Sequence, residues 1–185
     1  AFIRPPEQVI DLRRAQVLMT GEVPQTVGET LRNFERQGNP WGMPAPDRIS
    51  WAEGIDVRVL SLGDVVDVLF YVGCAGAYDD RNKKVTRSFI KILNKLKIDY
   101  GILGDAEICC GETSRRMGNE YLFQVAAEEN ISLLSGYQFN KIVTLCPHGL
   151  NTIKNEYPRF GGNFQVLHAS EFLAEIFSDL NLNLN

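Results

Sequence analysis

The sequence predicts an α/β fold, a parallel β-sheet with flanking helices in a Rossmann-like βαβαβαβα order, preceded by a mostly helical N-terminal arm. From about residue 66, short β-branched and aromatic runs alternate with segments in which apolar residues recur at helical spacing. Residues 1–65 differ, because they hold six of the eight prolines and both tryptophans. We therefore divide the chain into an arm or linker, residues 1–65, and an α/β domain, residues 66–180.

The arm shows helical patterns over residues 6–19 and 27–36 and a shorter one over 47–53. Residues 38–44 are too rich in glycine and proline to continue a helix. We expect this segment to connect or to pack, and it offers no catalytic constellation.

The domain alternates strands and helices in a strict order. Helices follow the strands over residues 82–96, 113–130, 150–156 and 170–177, and the strands themselves cover 66–72, 98–103, 141–145 and 164–167. Such alternation predicts parallel strands joined by right-handed crossovers, with helices on both faces of the sheet. The polar tail 181–185 is expected to fray.

Composition excludes several classes of protein. The 185 residues are 44% hydrophobic and 23% charged, which is typical of a soluble globular protein. A net charge of −4 argues against a nucleic-acid partner, since phosphate neutralisation needs a basic surface. No apolar run is long enough to span a membrane, and no secretory signal is visible. The four cysteines then favour a reducing, cytoplasmic location, where clustered thiols bind metal or carry out redox chemistry.

Every cysteine lies just after a predicted strand. Cys74 follows the first strand, Cys109 and Cys110 follow the second, and Cys146 follows the third. The carboxyl ends of parallel strands share one edge of a sheet, where ligands bind. We expect the four thiols to converge there, with the Cys109-Cys110 pair in the middle and Cys74 and Cys146 on either side.

The thiols have three possible uses. A structural disulfide between the adjacent cysteines is not among them, because such a pair cannot reach relaxed disulfide geometry without backbone strain. Four thiolates are a complete ligand set for a [4Fe–4S] cluster or for Zn²⁺. A metal-free thiol oxidoreductase using Cys109 and Cys110 is the third alternative.

Three short motifs carry a resemblance to a known family. They are GC (73–74), ICCGE (108–112) and TLCPHG (144–149). In this spacing they resemble the cysteine-rich CCG domain of the heterodisulfide reductase group and of iron–sulfur subunits of glycolate and lactate oxidation systems, over residues 66–178. The resemblance implies an iron–sulfur electron-transfer module of a heterodisulfide-reductase-like oxidoreductase, inactive on its own. It implies one [4Fe–4S] site formed by Cys74, Cys109, Cys110 and Cys146; a zinc-stabilised structural domain is the alternative.

One position departs from the family pattern. The family ends its motif with Cys-x-x-Cys, whereas this chain has Cys146-Pro147-His148-Gly149. Four thiolates cannot reproduce the five-cysteine ligation of the family's noncubane cluster. Electron relay or a structural metal is therefore favoured over substrate cleavage.

The resemblance extends into the arm. Residues 31–54 resemble the segment that joins a ferredoxin-like [4Fe–4S] module to the first CCG domain of larger members. Because the chain also starts at Ala1 without Met, we expect a piece of a longer protein. Expected partners are a ferredoxin-like iron–sulfur module, in the same parent chain, or a flavin- or quinone-linked redox partner. Such partners would bring it to the cytoplasmic face of the membrane.

Overall fold

The structure, a computed structural model, describes residues 5–179. The predicted fraying of residues 181–185 lies outside this range. The strands are β1 Val65–Tyr71, β2 Tyr100–Gly101, β3 Gln138–Thr144 and β4 Val166–His168. The helices are α1 Pro5–Ala15, α2 Gln25–Gln37, α3 Gly73–Tyr78, α4 Asp80–Lys95, α5 Glu112–Arg116, α6 Glu120–Leu134, α7 Pro147–Asn151 and α8 Ala169–Asp179.

The four strands form one parallel sheet in the order β2-β1-β3-β4, which confirms the predicted fold class. The chain leaves β1 for one side of the sheet and later returns to its other side at β3. The boundary between β1 and β3 is therefore the topological switch point, where α/β sheets place their ligand sites. The expected position of Cys109-Cys110 in the middle is wrong, because this pair follows the edge strand β2, whereas Cys74 follows β1, which lies between β2 and β3.

Helices cover both faces of the sheet, as predicted. On one face, Leu69 of β1 lies in a buried cluster with Phe123 of α6. On the other face, Phe70 packs against Phe89 of α4, with 5.0 Å between their ring centroids. Burial on both sides explains why β1 is apolar without alternation from Val68 onward, after the exposed Asp67.

Strand β2 is much shorter than the predicted 98–103. The arm residues 58–60 lie along this edge, where Leu60 N donates to Ile102 O at 2.9 Å and Ile102 N donates to Arg58 O at 2.9 Å. Gly101 permits this approach, since a side chain there would overlap Leu60. The arm therefore covers the edge of the sheet next to the cysteine pair.

The predicted helix 113–130 is two helices, α5 and α6. Gly118 between them has φ +93°, a left-handed conformation that ends the first helix. Asn119 then begins the second, because its side chain accepts a hydrogen bond from Leu122 N at 3.0 Å. Helical periodicity continues across this break, which is why the sequence pattern indicated one helix.

Other boundaries also differ from the sequence prediction. The short helix α3 was not predicted, because its sequence GCAGAY lacks helical periodicity. The predicted helix 6–19 is α1 followed by a π-helical turn, Gln16–Thr20, and the predicted helix 150–156 is α7 followed by Thr152–Glu156. Among residues 5–179, no helix combines the length and apolar character needed to cross a membrane.

The arm packs onto the sheet. Phe34 of α2 lies in the buried cluster on the α6 side, and Trp51 lies in the cluster on the α4 side. Trp51 belongs to a 3₁₀ helix, Ala45–Ala52, whose other buried side chain is Arg48. This packing places a cation of the arm inside the molecule.

We predict that Gly118→Ala destabilises the protein more than Gly161→Ala does. Both glycines have positive φ, so alanine costs about 1–2 kcal/mol at either position. At Gly118 the added Cβ would also lie 2.5 Å from the backbone of Arg13 in α1, whereas Gly161 has open space. Urea unfolding should show a further loss of about 1–3 kcal/mol for Gly118→Ala. Equal losses would contradict the packing of α1 against this turn.

Candidate metal centre

All four cysteines line one pocket of about 70 Å³ at the carboxyl edge of the sheet. Cys74, Cys109 and Cys110 are buried, Cys146 is half-buried, and none forms a disulfide. The structure therefore brings together the four residues that the sequence singled out.

Cys74 and Cys146 lie across the switch point. Cys74 is in the first turn of α3, directly after β1, and Cys146 caps α7, directly after β3. A Cβ on Gly73 would be 3.4 Å from the Cβ of Cys146, so the two turns nearly touch. Gly73 has φ +73°, which reverses the chain at the end of the strand.

The Cys109-Cys110 segment is held by its backbone. Asn130 of α6 donates to the carbonyl of Cys109 at 2.9 Å, and the Tyr157 hydroxyl donates to the carbonyl of Cys110 at 3.1 Å. The N–H of Cys109 donates to Gly38 O of the arm at 3.2 Å. These bonds satisfy the buried backbone groups of the two cysteines. They also fix the main chain from which both thiol side chains extend.

Gly111 completes the CCG motif for a steric reason. Its φ is +87°, and it precedes α5. A Cβ there would lie 2.9 Å from Phe123 and 3.2 Å from Ala126, both on α6. Only glycine allows the turn after the cysteine pair to lie against this helix.

Cys146 is oriented by its own turn. Its N–H donates to the Thr144 hydroxyl at 3.1 Å, and its sulfur accepts from Gly149 N at 3.5 Å. This sulfur therefore already receives a backbone donor of the kind that stabilises a thiolate.

A buried ion pair from outside the motifs contacts Cys74. Arg48 Nη2 donates to Cys74 Sγ at 3.2 Å, and Arg48 Nη1 donates to Glu107 Oε1 at 2.8 Å. Glu107 also accepts from the backbone N–H groups of Val72 and Gly73, each at 2.8 Å. Sequence reasoning missed both charged residues and gave the arm only a connecting or packing role. The available signal was Glu107 itself, an acidic residue two positions before the cysteine pair.

The thiols differ in how readily they ionise. A hydrogen bond from the Cys109 thiol lowers the pKa of Cys74, and the Arg48 guanidinium acts in the same direction. Hydrogen bonding to Cys110 and Cys74 raises the pKa of Cys109 well above its ordinary value. Burial raises the pKa of Cys146. Of Cys74, Cys109 and Cys146, Cys74 is thus the thiol most disposed to carry negative charge.

The donor set fits a sulfur-ligated iron centre. Soft thiolates bind iron–sulfur clusters and zinc in preference to hard cations. Within residues 5–179, no group of three or more His, Cys, Asp or Glu side chains is placed to hold one metal ion. The four thiols nevertheless line a common pocket, although among the described residues they do not form a site for a single ion.

Position 149 has room for a side chain. The backbone of Gly149 is not left-handed, and a Cβ there would make ordinary contacts of 3.6–3.9 Å with Thr144, Cys146 and Tyr71. Sterics therefore do not forbid a fifth cysteine at this place. The pocket lacks a fifth thiol because residue 149 is glycine, and not because a side chain would clash there.

Two exposed side chains stand at the rim of the pocket. Trp41 of the arm is 51% exposed, and its ring lies 6.4 Å from that of Tyr78. His148 is exposed on the opposite turn and lines the same pocket. His168 does not line this pocket; its ring nitrogens lie 2.7 Å from the Ser170 hydroxyl and 3.3 Å from the Leu145 carbonyl oxygen.

Comparison with known proteins gives a consistent set of relatives. Residues 68–154 match the family model of the CCG cysteine-rich domain. The chain is 38% identical over 183 residues to the EtfAB:quinone oxidoreductase of Syntrophomonas wolfei, a match that covers 96% of this chain and 26% of that protein. It is 42% identical over 177 residues to the probable iron-sulfur-binding oxidoreductase FadF of Bacillus subtilis, covering 92% and 25%.

A third relative is named as a heterodisulfide reductase subunit, from the group that the motifs resemble. The chain is 30% identical over 144 residues to a subunit of the dihydromethanophenazine:CoB–CoM heterodisulfide reductase of Methanosarcina barkeri, covering 75% of this chain and 34% of that protein. The chain spans only 25–34% of the length of these three relatives. No solved structure matches it significantly. The resemblance stated from the motifs is confirmed.

We predict that Tyr157→Phe lowers the free energy of unfolding by about 1–3 kcal/mol, since it leaves the buried carbonyl of Cys110 without this donor. Tyr121→Phe is the matched control, because Tyr121 is 69% exposed and its hydroxyl can bond to water instead. Denaturant unfolding of both variants measures the difference. An unchanged stability for Tyr157→Phe would mean that this hydrogen bond does not hold the cysteine segment.

Proposed function

We propose that this chain, which belongs through residues 68–154 to the CCG cysteine-rich domain family, is an electron-transfer module of a larger iron–sulfur oxidoreductase. The observation that carries the proposal is the arrangement of four free cysteines, from three strand ends, around one pocket. Relatives named iron-sulfur-binding oxidoreductase and heterodisulfide reductase support the same class of chemistry.

In this proposal the ligands are Cys74, Cys109, Cys110 and Cys146, and the cofactor is a [4Fe–4S] cluster. Four thiolates complete the coordination of such a cluster, which accepts and releases single electrons when bound. Gly149 leaves the fifth position of the family motif without a thiolate, so we assign electron relay to the site and assign no substrate cleavage to it.

The protein supplies the surroundings of the site. The sheet and its helices exclude water from Cys74, Cys109 and Cys110, while Trp41 and His148 form a rim open to the surface. A partner that docks at this rim would come close to the pocket.

We propose a redox partner linked to a quinone, a flavin or a ferredoxin-like cluster. The relatives named EtfAB:quinone oxidoreductase and probable membrane-anchored ferredoxin favour this class. Residues 1–65 would serve as the linker toward a ferredoxin-like module, and residues 66–180 as the cluster-binding domain. We place this assembly in the cytoplasm, brought to the membrane by its partners.

We predict that anaerobic reconstitution with iron and sulfide yields about four of each per chain, with broad absorbance characteristic of thiolate-bound iron. Cys74→Ser or Cys109→Ser should lose most of this iron, because each removes a ligand. Ala75→Ser is the matched control, since it adds the same hydroxyl at the pocket but keeps all four thiols. Iron and sulfide assays with EPR before and after reduction measure the outcome.

The same preparation decides between the cluster and the alternatives. One equivalent of zinc, with no iron uptake and with melting on chelation, would replace the cluster by a structural zinc site. Reconstituted protein that takes up neither metal would leave the metal-free thiol oxidoreductase. Equal iron in the cysteine variants and in Ala75→Ser would reject these four residues as ligands.

We predict that Gly149→Cys changes the EPR spectrum of the reconstituted protein, because a fifth thiolate becomes available beside Cys146. Gly149→Ser provides a similar volume without a thiolate and should keep the wild-type spectrum. Both side chains begin from a Cβ with ordinary contacts, so folding should be preserved. Identical spectra for all three proteins would show that Gly149 does not set the ligand number.

A further inference from the structure

We propose that Arg48 raises the reduction potential of the centre held by Cys74, by donating a buried hydrogen bond to its sulfur. This inference rests on the proposed cluster and assigns a positioning role to a residue of the arm, outside the cysteine motifs. It also assigns a role to Glu107, which is buried in the same hydrogen-bond network and orients the Arg48 guanidinium.

The guanidinium bridges two groups with one rigid fork. Nη2 donates to Cys74 Sγ at 3.2 Å, while Nη1 donates to Glu107 Oε1 at 2.8 Å. The guanidinium carries its donors in a fixed plane, so contact with Glu107 also directs the second nitrogen. The position of Glu107 therefore decides where the donor to sulfur lies.

Glu107 is fixed relative to Cys74 by the main chain. Its carboxylate accepts from the N–H groups of Val72 and Gly73, the two residues that immediately precede Cys74. The network is thus a closed ring through Arg48, Glu107, the backbone and Cys74. This ring fixes the Nη2 donor relative to Cys74 Sγ.

Burial strengthens the contact. The side chains of Arg48 and Glu107 are only 3% and 1% exposed. Their opposite charges balance, so the pair adds little net charge to the pocket. The donor nitrogen nevertheless lies against the sulfur, whereas the carboxylate is turned to the backbone amides. The sulfur therefore experiences mainly the positive end of the pair, in surroundings that screen it poorly.

Two aromatic residues hold the arm in place for this contact. The guanidinium carbon lies 5.2 Å from the ring centroid of Tyr78 in α3. Trp51, three residues beyond Arg48 in the same 3₁₀ helix, is 3% exposed. Arg48 therefore contacts Cys74 from a packed segment of the arm, and its side chain is not a flexible surface group.

The effect on the potential has a definite sign. Reduction adds one electron, and part of the added negative charge resides on the thiolate sulfurs. A hydrogen bond donated to sulfur stabilises this reduced state more than the oxidised state. Removal of the donor should therefore lower the potential, with no proton taken up in the one-electron step.

The test uses Arg48→Met and Arg48→Lys in the reconstituted chain. Arg58→Met is the control, because Arg58 is 45% exposed and pairs with Asp99 away from the pocket. In an EPR-monitored redox titration, Arg48→Met should lower the reduced-to-oxidised ratio at the wild-type midpoint about tenfold, or about 59 mV for one electron. Arg48→Lys keeps the charge without the fork and should show a smaller decrease. Arg58→Met should match the wild type.

The reduction potential of the iron-loaded variants decides whether the inference stands. Iron-loaded Arg48→Met with the wild-type potential overturns the inference and leaves the cluster intact. A variant with lower iron content or lower melting temperature, but an unshifted potential, shows a structural role only and overturns it too. If Arg48→Met does not fold, the potential of Arg48→Lys decides. A wild-type chain that binds no iron rejects the proposed cluster, and with it this role.

Discussion

Parallel strands place all of their carboxyl ends at one edge of the sheet, and the arrangement of the cysteines depends on this constraint. Cys74 and Cys146 are far apart in sequence, yet the β1–β3 pairing, which ends at Tyr71 and Thr144, brings their turns side by side. Cys109 and Cys110 reach the same pocket from β2, the neighbour of β1 on its other side. No local motif could create this convergence, because each turn supplies at most two thiols.

The pair Arg48–Glu107 is the second organising feature. Burial raises the pKa of Glu107, while the guanidinium and the two backbone amides oppose this effect. Breaking such a pair by removal of one partner leaves an uncompensated buried charge, whereas the intact pair offsets its own desolvation only through good geometry. Its four hydrogen bonds supply that geometry and join the arm, the end of β1 and the segment before Cys109.

Gly149 is the position at which this chain departs from the family's cysteine pattern. The fold, the CCG turn and the first four cysteines agree with the family, and the relatives include iron–sulfur oxidoreductases. The fifth thiol is absent although the backbone would accept its Cβ. A single residue type, rather than the shape of the pocket, therefore distinguishes this site from the five-cysteine pattern.

The fold class could be predicted from the sequence, because alternating strand and helix patterns admit few arrangements other than a parallel sheet. The candidate residues could be predicted too, since every cysteine follows a strand. Their order across the pocket could not be predicted, because β1, rather than β2, lies between the other two cysteine-bearing strands. Strand order is a long-range property that periodicity does not encode. The same holds for Gly118, whose turn interrupts an unbroken helical pattern, and for α3, whose small residues show no pattern. Arg48 could not be assigned from sequence, because it lies 59 positions before Glu107 and only packing of the arm brings the two together.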